Sequence, residues 1–69
     1  MNILKVARAK LGISQQKMAE KLEISRQQVV NYESKKQKPT LERVYALALA
    51  YKITAQEVLL HFEEKDKED

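Results

Sequence analysis

The sequence is 69 residues long, lacks cysteine and contains one glycine and one proline. It therefore cannot form disulfides or a thiolate metal site, and it is too poor in turn residues for an all-β architecture. The net charge of +3 is unevenly distributed: residues 63–69 hold five acids and two lysines, which leaves 11 basic and 5 acidic residues in 1–62. A basic body is compatible with a polyanionic partner, although many soluble domains have a similar charge.

The longest apolar run, residues 45–51, is too short to cross a membrane. Nothing at the start of the chain resembles a secretion signal. We therefore expect one cytoplasmic, all-α domain over residues 1–62, followed by a disordered charged tail at 63–69.

Two short helices are predicted first. Asn2 is expected to cap the first helix, which ends at Gly12, and Ser14 to cap the second, which ends at a break formed by Glu23 and Ile24. The inward residues, at helical spacing, are Ile3, Leu4, Ala7 and Leu11 in the first helix and Met18, Ala19 and Leu22 in the second.

The third predicted helix opens at Ser25 with a capping box, because Gln28 follows three residues later. It runs to about Ser34 and is followed by a basic loop at 35–39 that contains Pro39. On a wheel of about 100° per residue, the outward residues are Arg26, Gln27, Val30, Asn31 and Ser34, and the inward residues are Val29, Tyr32 and Glu33.

Thr40 is expected to cap a fourth helix, and Thr54 with Glu57 forms a capping box for a fifth. A connector at 52–53 separates these two helices. Their inward residues are predicted to be Leu41, Val44, Leu47, Ala48 and Tyr51, then Val58, Leu59 and Phe62.

The outward face of the third helix has the chemistry of base recognition. Arginine matches guanine, glutamine and asparagine match adenine, and an exposed valine can contact a thymine methyl group. Arg26, Gln27 and Asn31 could instead simply solvate a surface helix. Two helices, a tight turn and a polar second helix are nevertheless typical of a helix-turn-helix.

The ordered set of motifs closely resembles the Cro/CI-type (XRE-like) phage-repressor family of helix-turn-helix regulators. The resemblance covers about Ile3 to Leu60. It rests on residues 12–15, 18–22, 24–26, Val29, residues 32–33, 39–41 and 47–48.

The resemblance implies a compact five-helix bundle of the lambda-repressor-like type, with helices 2 and 3 as the helix-turn-helix. It implies a sequence-specific regulator of transcription, with repression the favoured outcome, that binds a palindromic double-stranded DNA operator as a homodimer. The base-reading residues would be Arg26, Gln27, Val30 and Asn31, and the phosphate-contacting residues would be Gln15, Ser25, Lys35, Lys36 and Lys38.

The resemblance also places Gln15 against the base-reading side chains and pairs Arg8 with Glu33. The wheel independently turns Glu33 inward, where an unpaired carboxylate would be costly. Arg8 and Glu33 are therefore expected to form a structural salt bridge.

The chain departs from the family pattern at three turn positions where glycine is expected. They hold Glu23, Lys35 and Lys52. A residue other than glycine adopts a left-handed backbone only at some cost, so we expect the local turn geometry to differ.

No other set of residues supports chemistry. His61 is the only histidine and is expected to be exposed, so no metal site is predicted. The serines lack a histidine partner and there is no glycine-rich phosphate loop, so neither an enzyme, a cofactor nor a small-molecule ligand is expected. Three tyrosines could stack on single-stranded bases, but core packing is favoured for them: Tyr32, Tyr45 and Tyr51.

The end of the fifth helix allows two interpretations. One or two of Val58, Leu59 and Phe62 are expected to close the monomer core. The apolar remainder is either ordinary core before a frayed tail or a dimer interface, which the fifth helix would form with Tyr45 or Leu49. We favour the dimer, because two reading helices must be spaced by one DNA turn. An antitoxin or another protein-interaction module is the alternative function, but only seven residues follow Phe62, too few to wrap a toxin.

Overall fold

A computed structural model of the chain describes residues 1–63, and these form five helices without a strand. The predicted disordered tail falls almost wholly on residues 64–69, which lie outside the described part, while Glu63 is the last residue of the fifth helix. The expected all-α bundle is confirmed. Its helices are α1 (Ile3–Leu11), α2 (Gln15–Leu22), α3 (Arg26–Glu33), α4 (Leu41–Tyr51) and α5 (Ala55–Glu63).

Each helix begins where a short polar side chain can accept a hydrogen bond from the first turn. Asn2 Oδ1 accepts from Lys5 N at 2.9 Å, and Ser14 Oγ accepts from Lys17 N at 3.0 Å. Both predicted capping boxes are present, one of Ser25 with Gln28 and one of Thr54 with Glu57, and Thr40 caps α4. The helix starts are thus determined by local sequence.

The three positions that lack the expected glycine still adopt the left-handed backbone. The φ angles of Glu23, Lys35 and Lys52 are 58°, 68° and 59°, close to the 70° of Gly12. The expectation that the turn geometry differs there is therefore wrong. Hydrogen bonds hold these turns, such as that of Ile24 N to Ala19 O at 3.0 Å, since they satisfy the last carbonyls of the helices.

Replacing Glu23 by glycine is expected to stabilise the protein by about 0.5–1 kcal/mol, because relief of the left-handed strain outweighs the added freedom of the unfolded chain. Thermal or urea unfolding measures the change. Glu20→Gly, on the exposed middle of α2, is the control and should cost about 1 kcal/mol. A loss of stability in both variants would contradict the assigned strain.

The core lies where α1, α2 and α5 pack around α4. Tyr32 and Tyr51 are buried, so core packing is confirmed for both. Core packing is wrong for Tyr45, which is 58% exposed. The predicted inward position of Leu41 is also wrong, because Leu41 is 67% exposed. These two lie four residues apart on the side of α4 that no other helix covers. The buried apolar residues are Leu4, Ala7, Met18, Ala19, Val29, Tyr32, Val44, Leu47, Ala48, Ala50, Tyr51 and Val58.

The end of α5 completes the monomer core, as expected for one or two of its three apolar residues. Val58 has no exposed surface and therefore belongs to that core and not to the set of dimer contacts. Phe62 is half-buried and packs edge-to-face on Tyr32 and His61, with ring centroids 6.3 and 4.7 Å apart, which assigns its ring largely to the monomer. Leu59 remains exposed.

His61 is fully buried, so its expected exposure is wrong. It follows Val58 by three residues and therefore shares its inward face. Its Nε2 lies 3.1 Å from Tyr32 O, at the end of α3. Among residues 1–63, no helix is both long and apolar enough to span a bilayer.

Candidate nucleic-acid interface

Helices α2 and α3 form the helix-turn-helix, joined by a turn at residues 23–25. Met18 and Ala19 of α2 are buried together with Val29 and Tyr32 of α3 in one apolar cluster. The left-handed Glu23 reverses the chain, and Ser25 starts the next helix immediately. The predicted two-helix layout is therefore present.

The outward face of α3 is only partly as open as the wheel predicts. Arg26 and Gln27 are exposed, whereas Val30 and Asn31 are half-buried. Gln27 Nε2 donates to Asn31 Oδ1 at 3.1 Å, one helical turn away. Two of the expected base readers are thus linked to each other.

The basic loop follows directly from the end of α3. The left-handed Lys35 turns the chain, and the amides of Lys36 and Gln37 donate back to Asn31 O at 2.9 and 3.3 Å. Lys36 and Lys38 are exposed, and Lys35 is half-buried. The loop therefore places cationic side chains at one end of α3, while the exposed Ser25 lies at the other.

Glu33, the last residue of α3, is buried and connects four parts of the molecule. Its carboxylate accepts from Arg8 Nε at 2.7 Å and from Arg8 Nη2 at 3.1 Å, so the expected salt bridge is present. It also accepts from Gln15 Nε2 at 3.1 Å and from Tyr51 Oη at 2.9 Å. These contacts fix the end of α3 to α1, α2 and α4.

The same network holds the turn before α2. Arg8 Nη1 donates to Ile13 O at 3.0 Å. Asn2 Nδ2 donates to the backbone oxygen of Glu33 at 2.7 Å. The orientation of α3 is therefore set by hydrogen bonds at its end as well as by apolar packing along its inward side.

The placement of Gln15 differs from the one implied by the resemblance. Its Nε2 is directed at Glu33 and not at the side chains of the outward α3 face. Its contact with phosphate stays a prediction.

The environment of Glu33 keeps it charged. Burial by itself raises the pKa of Glu33, but hydrogen bonds from Arg8, Gln15 and Tyr51 and the charge of Arg8 outweigh burial, so the pKa lies below its ordinary value. Burial, followed by the charge of Glu33, raises the pKa of the Tyr51 hydroxyl well above its usual range. Tyr51 is thus a neutral donor to a carboxylate.

Sequence reasoning missed the contributions of Tyr51 and Asn2 to this network. A signal existed for Tyr51, because a buried tyrosine hydroxyl usually requires a hydrogen-bond partner. For Asn2 the sequence predicts only the helix cap, which uses the side-chain oxygen. The side-chain nitrogen of Asn2 makes the second contact, a hydrogen bond to the backbone oxygen of Glu33.

The fold and this site define the class of the protein as an all-α helix-turn-helix domain. The sequence model described as Helix-turn-helix matches residues 4–58, more than half of the chain. The chain belongs to the Cro/CI-type (XRE-like) helix-turn-helix family, a family of DNA-binding regulators. Comparisons with curated proteins and with solved structures gave no match.

Proposed function

We propose that the chain regulates transcription by binding a specific double-stranded DNA sequence with α3 in the major groove. Repression is the regulatory outcome that we propose. The observation that carries this proposal is the exposure of Arg26 and Gln27 on a helix whose opposite face is fixed in the core. A long donor on a rigid helix matches the requirement of direct base readout. Occupying an operator is sufficient to block a polymerase, which is why we propose repression.

The hydrogen bond between Gln27 and Asn31 supports adenine as one of the bases read. A glutamine amide has two N–H groups, and Gln27 uses one of them on Asn31 Oδ1. Its second N–H and its Oε1 match the N7 acceptor and N6 donor of adenine. In this proposal Gln27 reads the base and Asn31 orients it, while Arg26 reads guanine and Val30 lies near a thymine methyl group.

Phosphate contacts would come from both ends of α3. Lys35, Lys36 and Lys38 supply cations, and the Ser25 hydroxyl can donate to a phosphate while it accepts from Gln28 N at 3.1 Å. Gln15 Nε2 uses one of its two N–H groups on Glu33, so we propose its second N–H for phosphate, together with the first backbone amides of α2.

Replacing Lys36 by alanine is expected to weaken binding to all DNA sequences alike and to reduce the slope of log K against log salt by about 1. Fluorescence anisotropy at several salt concentrations measures this slope. Lys10→Ala removes a charge that acts on Glu57 of α5 and should leave the slope unchanged. An unaltered slope in Lys36→Ala would argue that Lys36 does not contact phosphate.

We propose a homodimer on a palindromic operator. A single α3 of eight residues covers only a few base pairs, and two copies one DNA turn apart would read two half-sites. A two-fold axis in the protein then corresponds to the two-fold axis of the operator.

Selection of bound sequences from random duplex DNA tests the proposed function. A palindromic consensus whose half-site contains guanine and adenine is the expected result. Gln27→Ala, selected in parallel, should lose the preference for adenine alone. An unenriched pool for the wild-type chain would overturn sequence-specific binding.

A further inference from the structure

The side of α4 that no other helix covers has an apolar stripe. Leu41, Tyr45 and Leu49 are 67%, 58% and 79% exposed and follow one another at four-residue spacing. Isolated exposed apolar residues are common, but a continuous exposed stripe marks an interaction surface. Nothing in the proposed reading of DNA by α3 uses this side of the molecule.

Opposite charges lie near the two ends of the stripe. Glu42 and Lys52 are exposed, and within residues 1–63 neither forms an ion pair. At about 100° per residue, Glu42 falls at the edge of the arc that holds the apolar stripe, and Lys52 is the left-handed residue that ends α4. We name these five residues the α4 face: Leu41, Glu42, Tyr45, Leu49 and Lys52.

We propose that the α4 face binds the α4 face of a second copy of this chain, with the two helices antiparallel and crossing at residue 47. This surface is self-complementary in that register, as a two-fold interface requires. Glu42 lies opposite Lys52 of the partner subunit, and Leu49 lies opposite Tyr45 of the partner subunit. The same two contacts are then repeated across the axis.

The shape near the crossing point fits this arrangement. Ala46 is half-buried beside the crossing point, and the size of Tyr45 and Leu49 at the contact sets the helix axes about 10 Å apart. Leu49 borders a depression of about 310 Å³ that α2 also lines through Lys21 and Leu22. The ring of Tyr45 from a second copy is placed to enter it.

A separate depression lies beside α5. Leu59, 42% exposed, lines with Val44 and Pro39 a cavity of about 180 Å³ between α5 and the start of α4, and no residue of the α4 face lines it. Val58 is buried and Phe62 packs on Tyr32 within the monomer. The proposed interface is therefore formed by α4. This interface rests on the proposed function in one respect: a homodimer on a palindromic operator requires a two-fold axis, and the interface supplies it. Self-association can be tested without DNA.

Sedimentation equilibrium without DNA tests the apolar part of the interface. We expect the wild-type chain to dimerise and Leu49→Ser to weaken association about a hundredfold, because two buried leucines are lost and each is worth roughly tenfold. Leu60→Ser is the control, since Leu60 is 48% exposed but lies on α5. Wild-type chain that stays monomeric at millimolar concentration, or a dimer that only Leu60→Ser weakens, overturns the proposal.

Exchange of the two charges tests the antiparallel register. Glu42→Lys and Lys52→Glu should each weaken self-association, whereas the double variant should regain it. An equimolar mixture of the two single variants should form a heterodimer, because both cross-axis pairs are then opposite in charge. Circular dichroism verifies that each variant is folded, and failure of both the double variant and the mixture to associate overturns the register.

The interface can fail independently of DNA recognition. A chain that is monomeric and still enriches a short asymmetric sequence would overturn the dimer and leave base reading intact. A stable dimer with no sequence preference would do the reverse.

Discussion

Replacing Glu33 by glutamine is expected to lower the free energy of unfolding by about 3–5 kcal/mol. Glutamine keeps the size of the side chain but removes the charge that pairs with Arg8 at 2.7 Å. Its amide nitrogen would also face donors from Arg8, Gln15 or Tyr51 in place of an acceptor. A partly buried guanidinium would remain without its counter-charge.

The effect of this substitution should depend on pH. The pKa of Glu33 is lowered in the folded protein, so its contribution is complete above the unfolded value of about 4.3. It is lost as the pH falls from there through the lowered folded pKa. Wild-type and Glu33→Gln stabilities should therefore differ most near neutral pH and converge in acid.

Urea unfolding at pH 7 and at pH 3 measures both effects. Glu20→Gln is the control, because its pair with Lys17 is exposed and 3.7 Å long and should contribute no more than about 0.5 kcal/mol. A difference between wild-type and Glu33→Gln that is small, or that is equal at the two pH values, would contradict the assigned role of the carboxylate.

Replacing Arg26 by alanine is expected to cost about 1–3 kcal/mol in binding to the selected DNA site and to relax the preference at one base pair. Arg26 is exposed at the first turn of α3, where a side chain can reach a base edge in the groove. A bidentate arginine contact discriminates guanine from other bases, whereas a phosphate contact does not.

The measurement compares affinities for the selected site and for a scrambled duplex at one salt concentration. Lys10→Ala serves again as the charge control and should alter neither affinity. If Arg26→Ala weakens binding to both duplexes equally, Arg26 contacts phosphate and does not read a base.

Local rules predict the helices of this chain well. Asn2, Ser14, Ser25 and Thr40 all accept hydrogen bonds from the helices that they were expected to cap. The inward side of α3 is also as predicted, because helical spacing is a property of the local sequence. These features require no knowledge of which helices meet in space.

Features that depend on which helices meet were harder to predict. Tyr45 falls at a core spacing but lies where no helix covers α4. The position of His61 near the end of the last helix favours exposure, although its spacing from Val58 indicates burial, and the structure buries it. The direction of the Gln15 amide depends on a carboxylate 18 positions away, and no sequence pattern encodes it.

The turn positions that lack the expected glycine show a third kind of error. Glycine is the favoured residue at a left-handed position but not the only one allowed, and the cost for Glu23 is about 1–2 kcal/mol. Two backbone hydrogen bonds from this turn, at 3.2 and 3.0 Å, and the packing of α2 on α3 outweigh that cost. The hydrogen bonds and the helix packing therefore stabilise a left-handed backbone at Glu23 that the residue by itself disfavours.

Most hydrogen-bond partners of Glu33 come before it in the sequence. Asn2, Arg8 and Gln15 precede Glu33, and only Tyr51 follows it. The ion pair therefore joins residues of the first three helices, and α4 contributes the hydroxyl donor of Tyr51.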